Sequence, residues 1–279
     1  MTPGDSTGAP RKAPGPAERR RTQLEYELDL ARQVQRSLFP APLPQVSGMR
    51  LDAENHPARI VSGDLYDVIV IDPERVAIVC ADVSGKGFPA ALLASELRAY
   101  VRATLRAACV FNDASLGPLP LQVVALLNSE ISRRSASGRY ATMVFAELDA
   151  SDRSLRYVNA GQNAPLLVVP GADAFAELAT GGPPVGLFED AVYEVGTLKV
   201  PDQGTVLMYT DGVVEARNLD EEEFGLARLI EVCAASRDRG TALIAAVMEA
   251  VRGWTGASEQ DDDITLVTVA AGEARPSMG

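Results

Sequence analysis

The stretch Val76-Ala77-Ile78-Val79-Cys80-Ala81-Asp82-Val83-Ser84-Gly85-Lys86-Gly87-Phe88-Pro89 decides how this chain is read. An apolar run with strand character ends on a carboxylate. Ser84, Gly85 and Gly87 then let the backbone turn tightly, and Pro89 suits the first turn of a helix. One aspartate at a strand end is ordinarily a turn former. Here the arrangement recurs. Ser62-Gly63-Asp64-Leu65-Tyr66-Asp67 precedes the apolar Val68–Ile71, Thr210-Asp211-Gly212 follows Val206–Tyr209, and Asp261-Asp262-Asp263 precedes Ile264–Val269. Three consecutive aspartates beside a buried strand are electrostatically costly without a counter-ion. If the strand after Asp263 runs antiparallel to the one before Asp211, a strand start and a strand end meet at one edge. Carboxylates gathered in this way repel unless a cation lies between them, and hard oxygen ligands select Mg²⁺ or Mn²⁺.

Outward from these turns the chain alternates. Strands are expected at Tyr66–Ile71 and Val76–Ala81. A helix follows over Pro89–Ala108, where Leu92, Leu93, Leu97, Tyr100, Val101, Leu105 and Ala108 share one face. A second helix covers Leu121–Arg133. Further strands are expected at Thr142–Leu148, Leu155–Val158, Pro165–Val169, Val195–Val200 and Thr205–Tyr209. Two helices, Gly225–Ala235 and Thr241–Trp254, lead to the last strand. Strands in runs and helices in pairs point to an α+β fold with helix pairs covering packed sheets.

The ends differ in composition. Residues 1–17 are rich in Pro, Gly, Ser and Thr and are expected to be disordered, residues 18–44 to form a linker helix, 45–270 a catalytic domain and 271–279 a tail. In the linker, Leu24, Leu28, Ala31, Gln35 and Leu38 repeat at spacings of 4, 3, 4 and 3 before Pro40. This seam reads either as packing on its own domain or as pairing with a second copy, a homodimer through 24–38, or with an upstream signalling element.

Composition removes several classes. The net charge of −12 argues against nonspecific binding of nucleic acid or an anionic membrane. No apolar run approaches the roughly 20 residues of a membrane span. The first residues carry Arg and Lys without an apolar core behind them, so no secretory leader is expected and the expected compartment is the cytoplasm. Cys80, Cys109 and Cys233 form neither a disulfide framework nor a zinc spacing. The one histidine, His56, precedes Pro57 in an expected loop with no nucleophile motif nearby, which leaves the chemistry to carboxylates and metal. Cys233 and Arg239 match the Cys-x₅-Arg spacing of thiol phosphatases, but Ala234-Ala235-Ser236-Arg237-Asp238 lacks the glycines of a phosphate cradle and falls at an expected helix. Ser84-Gly85-Lys86-Gly87 lacks the leading Gly and following Ser/Thr of a P-loop.

Taken in order, Ser62–Asp67, Asp82–Gly87, Asn159-Ala160-Gly161-Gln162-Asn163, Gly182-Pro183-Pro184-Val185-Gly186-Leu187, Thr210-Asp211-Gly212 and Asp262-Asp263-Ile264-Thr265 resemble the SpoIIE/RsbU-type protein phosphatases, bacterial members of the metal-dependent type 2C superfamily. The resemblance covers about residues 30–270. Leu30–Pro40 is similar to the linker helix that precedes the domain in that family. The resemblance implies a β-sandwich flanked by helix pairs (αββα) and a centre of two ions, Mn²⁺ or Mg²⁺. It assigns Asp82 as the bridging ligand and the Val83 carbonyl as a further ligand of one ion. Asp211 and Asp262 would hold the other ion, with Asp64 in direct contact or one layer behind. Arg59 would contact the substrate phosphate. The implied reaction is hydrolysis of phosphoserine or phosphothreonine by a metal-activated water. The implied substrate is a phosphorylated STAS-domain anti-anti-sigma factor in a partner-switching circuit, with an upstream activator protein. A module of the same fold that is catalytically silent and sequesters a partner is the alternative. The chain departs from the family pattern at Ser62, Leu65, Lys86 and Gln162, the last two where His is common; no carboxylate is lost.

Overall fold

A computed structural model of the chain describes residues 15–44, 46–111, 113–134, 139–169, 175–236 and 240–272. The disorder expected for the first residues, the tail beyond residue 272 and Arg239 of the Cys-x₅-Arg match therefore lie outside the described residues, in whole or nearly so.

The helices are α1 (Pro16–Leu38), α2 (Phe88–Phe111), α3 (Leu119–Arg134), α4 (Gly225–Ala235) and α5 (Thr241–Thr255). The strands are β1 (Met49–His56), β2 (Asp64–Val70), β3 (Arg75–Val83), β4 (Ala141–Asp149), β5 (Ser154–Ala160), β6 (Leu166–Val168), β7 (Phe175–Glu177), β8 (Gly181–Gly182), β9 (Gly196–Lys199), β10 (Thr205–Tyr209) and β11 (Ile264–Ala271). One sheet runs β1-β11-β10-β6-β7. The other runs β2-β3-β4-β5-β8, with β9 also on β5.

The period-2 alternation of strand side chains divides the apolar residues between two faces. Tyr66, Val68, Ile78, Cys80 and Val144 of one sheet meet Val206, Met208, Val267 and Val269 of the other. On its opposite face the first of these sheets presents Ala77, Val79, Met143 and Phe145 to Leu97, Val101 and Leu105 of α2 and Val123, Val124 and Leu127 of α3. The second presents Leu207, Tyr209, Ile264 and Leu266 to α4 and α5 through Leu229, Ile244, Val247 and Val251. The α+β sandwich with outer helix pairs is thus the observed architecture. Such burial on both faces explains why β3 and β11 read as continuous apolar runs.

Three strands lie outside the expected set. β1, β7 and β8 were hidden because Asp52, Glu54 and Asn55 interrupt β1 and the other two span only three and two residues. β1 pairs along its whole length with β11, from Met49↔Ala271 to His56↔Ile264. His56 consequently ends a strand instead of lying in a loop, and its Nε2 contacts Glu54 at 2.8 Å. α1 begins at Pro16, inside the stretch expected to lack structure.

The α1 seam is used in part by its own domain. Leu28, Ala31, Gln35 and Leu38 are half-buried while Leu24 is exposed. Beyond the helix Phe39 stacks on Tyr66 with ring centroids 4.7 Å apart. The Gln35 amide exchanges two hydrogen bonds with the Ser62 backbone, donating to its carbonyl (2.6 Å) and accepting from its N–H (2.9 Å). On the far side of β2, the fully buried Asp67 carboxylate accepts a two-pronged bond from Arg102 (2.6 and 2.8 Å) and contacts Arg98 at 3.1 Å, pinning α2 to the strand.

Candidate metal centre

One edge of the sandwich gathers the ends of four strands. Asp64 opens β2 and is the direct register partner of Asp82 near the end of β3. Gly63 lets the two connections approach: a Cβ there would stand 3.1 Å from the Ala90 Cβ and 3.4 Å from the Val83 carbonyl oxygen. On the other sheet β10 and β11 are antiparallel, so the end of one and the start of the other meet at this same edge. The Thr210 N–H continues the ladder to the Thr265 carbonyl at 3.1 Å. Asp211 then enters a short 3₁₀ turn, Asp211–Val213. Gly212 is obligatory in that turn, because its Cβ would fall 2.1 Å from the Asp263 carbonyl oxygen. Asp211 and the 261–263 run are thereby brought side by side.

The three consecutive aspartates separate by task. Asp263 accepts from the backbone N–H of Ala58 (2.7 Å) and of Gly63 (2.6 Å), which ties the β1–β2 connection to the start of β11. Asp262, half-exposed, points the other way, to the Lys86 ammonium at 2.7 Å. Asp261 is exposed. Asp64 is buried and accepts from the Thr210 hydroxyl at 2.7 Å, while the Thr210 Oγ1 accepts from the Thr265 N–H at 2.9 Å. Asn55 of β1 donates to the Thr265 hydroxyl (2.9 Å) and the Ser62 hydroxyl (3.1 Å). Gln162 spans both sheets. Its Nε2 donates to the Tyr209 carbonyl at 3.1 Å, and its Oε1 accepts from the hydroxyl of Thr142, the register partner of Asp82.

The electrostatics follow from this crowding. Burial, and then the neighbouring Asp82 charge, hold the Asp64 carboxyl well above the usual carboxylate range. Burial, and then Asp211, Asp262 and Asp263, push Asp82 up to about 7. Asp211 is raised by burial and by Asp262. Asp64, Asp82 and Asp211, which resist ionisation, and Asp262 beside them all present hard oxygens and are chemically suited to a divalent cation, which removes both penalties. Among the described residues no three acidic, thiol or imidazole groups are already drawn to the spacing of a formed ion site. Here the ammonium of Lys86 engages Asp262.

Beside Asp262 opens a cavity of about 720 Å³ whose lining mixes Arg59, Lys86, Arg217 and Arg252 with Glu215, Glu221, Glu259 and Asp261. Arg59 reaches its rim, with Nη1 3.9 Å from where a Gly87 Cβ would stand. Cys233 of the thiol-phosphatase match is buried in α4, and burial lifts its thiol to about 12. It cannot supply a thiolate at neutral pH.

All four aspartates picked out by their turns, with Val83 and Arg59, thus occupy one edge. The sequence reading missed the polar groups behind them: Asn55, Thr210, Thr265, Asp263 as a backbone clamp, and the contact of Lys86. Asn55 lies in the unrecognised β1. Thr210 and Thr265 carried a weak signal in standing next to the acids.

A family model described as Stage II sporulation protein E (SpoIIE) matches residues 72–271. Protein IcfG of Synechocystis sp. (strain ATCC 27184 / PCC 6803 / Kazusa) is 30% identical over 261 residues, covering 87% of this chain and 41% of that protein. Phosphoserine phosphatase RsbU of Bacillus subtilis (strain 168) is 27% identical over 220 residues, covering 77% of this chain and 63% of RsbU. The chain therefore spans less than two thirds of these relatives. Among solved structures, the SiaA-PP2C domain of Pseudomonas aeruginosa superposes with a TM-score of 0.73 at 20% identity, covering 90% of this chain and 98% of that domain. That likeness is one of fold.

Proposed function

The chain belongs to the SpoIIE family, and from that premise we propose that it is a metal-dependent phosphatase hydrolysing phosphoserine and phosphothreonine on a protein. The observation that carries this reading is the convergence of Asp64, Asp82, Asp211 and Asp262 from four strand ends on one edge, the first three with carboxyl groups held above the usual carboxylate range. Asp82 and the Val83 carbonyl would hold one Mn²⁺ or Mg²⁺, and Asp211 and Asp262 the other, with Asp82 shared and Asp64 in contact or just behind. Two such ions, when bound, supply an activated water and neutralise charge on the phosphoryl oxygens.

The rest is done by the chain's own groups. Thr210 holds the Asp64 carboxyl in place through one hydroxyl bond. Asp263, bonded to two backbone N–H groups, keeps the β1–β2 connection against the carboxylates. Arg59 at the cavity rim would bind phosphoryl oxygens through its fork of donors and orient the ester for in-line displacement. The open cavity beside Asp262 leaves room for the polypeptide around the phosphorylated residue.

The proposed substrate is a phosphorylated STAS-domain anti-anti-sigma protein in a partner-switching pathway. RsbU, a similar protein, is named as a phosphoserine phosphatase. We place the activity in the cytoplasm, under an upstream activator protein, with α1 as the element that pairs copies of the chain. Among the described residues no helix is long and apolar enough to cross a membrane. The test is phosphate release from a serine-phosphorylated STAS protein as Mn²⁺ is titrated in, beside Asp82→Asn. Metal-dependent release lost in the variant is the expected result. Tight binding of the same protein without release, at saturating Mn²⁺, would turn the reading to a sequestering module.

A further inference from the structure

A cation already rests on the carboxylate set. The Lys86 Nζ lies 2.7 Å from Asp262 Oδ2 and 3.3 Å from the Asp261 carbonyl oxygen. Its charge also acts on Asp211. The ammonium thus engages one of the two acids assigned to the second ion in the reading above, on which this inference rests, and its charge is felt at the other. We propose that Lys86 is an internal counter-cation which the second divalent ion must displace from Asp262, so that the Asp211–Asp262 half of the centre fills at a higher metal concentration than the Asp82 half.

Three observations support displacement over permanent occupancy. The contact is water-exposed, with side-chain exposures of 55% for Lys86 and 35% for Asp262, and an exposed ion pair is weakly held. The lysine sits between Gly85 and Gly87, whose φ angles of +109° and +72° lie in a region glycine adopts freely; beside Gly85 there is open space. The lysine stem also borders the cavity shared with Arg59, which gives the ammonium somewhere to go. The other polar contacts of the set are different in kind. Asp263 is bonded to two backbone N–H groups of the β1–β2 connection, and Asp64 to a buried hydroxyl, so neither partner is a mobile charge open to water.

A lysine and a divalent ion competing for one carboxylate make a threshold. At low free metal Asp262 stays neutralised by Lys86. Once the ion enters, the ammonium is freed toward the cavity, where a phosphorylated segment would lie.

The test is calorimetric titration of the full chain with MnCl₂, comparing wild type, Lys86→Gln, Lys86→Arg, Asp262→Asn and the double variant Lys86→Gln with Asp262→Asn. Removing the competing charge should tighten the weaker ion by about tenfold, with the tighter ion unchanged. Lys86→Arg should keep the wild-type isotherm, and the effect of Lys86→Gln should vanish in the Asp262→Asn background. An unchanged or weakened second ion in Lys86→Gln would overturn the proposal while leaving the phosphatase reading intact. Absence of any Mn²⁺ binding in both wild type and Lys86→Gln would overturn the metal-dependent reading and this inference with it. Lys86 is exposed, so folding should survive each change; thermal unfolding of each variant checks this.

Discussion

Asp64 and Asp82 face each other as direct register partners across the β2–β3 ladder, one buried and one half-buried, and the Asp82 charge adds to the burial that makes Asp64 hard to ionise. Two acids so placed would be a defect in an apolar sandwich. Under the proposed reading they would instead join Asp211 and Asp262 as ligands of divalent ions. Asp82→Asn removes the proposed shared ligand, and phosphate release at saturating Mn²⁺ should fall by on the order of 10³-fold or more. Steady-state assays on a phosphoserine protein measure this; a loss under tenfold would mean that Asp82 is not central.

The same crowding gives the metal-free protein a defined pH dependence. Asp82 is raised from an ordinary 3.8 to about 7. A carboxyl with a raised folded-state pKa contributes stability that is present below the unfolded value and lost as pH rises through the folded one. In chelator, wild type should therefore lose stability relative to Asp82→Asn between about pH 4 and pH 7. Thermal melts of both proteins across that range test the sign, and a difference that does not change with pH contradicts it.

Asp263 should behave as a positioning residue. Asp263→Ala leaves the N–H groups of Ala58 and Gly63 without their acceptor, costing roughly 2–4 kcal/mol of stability. It should also weaken Mn²⁺ binding by about 10–100-fold, since groups that orient ligands act at that level. Denaturant unfolding and metal titration read the two effects separately. Asp263→Asn, which keeps one acceptor oxygen, should fall between.

Gln162 joins the sheets just behind the site. Gln162→Leu would strip the Tyr209 carbonyl and the Thr142 hydroxyl of their shared partner at a buried position, for a loss of roughly 1–3 kcal/mol. Denaturant midpoints compare this directly. A surface-like effect below about 0.5 kcal/mol would show that the bridge carries no weight.

Much of the fold was legible because burial on two faces leaves an unmistakable pattern. The apolar runs of β3, β10 and β11 and the single apolar face of α2 follow from the layers they separate. β1 was not legible, because Asp52 and Asn55 are polar for reasons located elsewhere in the chain. Asp52 accepts from the Thr241 hydroxyl of α5, and Asn55 reaches Thr265, 210 positions away in sequence.

By itself the sequence determined the elements whose apolar periodicity is strong and that four acids sit at strand ends, since periodicity and turn chemistry are local properties. Tertiary structure alone decided how the acids divide the work. Asp262 and Asp263 are identical neighbours on the chain, yet alternation across the start of β11 sends one to two backbone N–H groups of the β1–β2 connection and the other to Lys86 and the cavity. Which aspartate clamps the backbone and which stays available to an ion depends on what lies across from it, and that is set by how the two sheets pack.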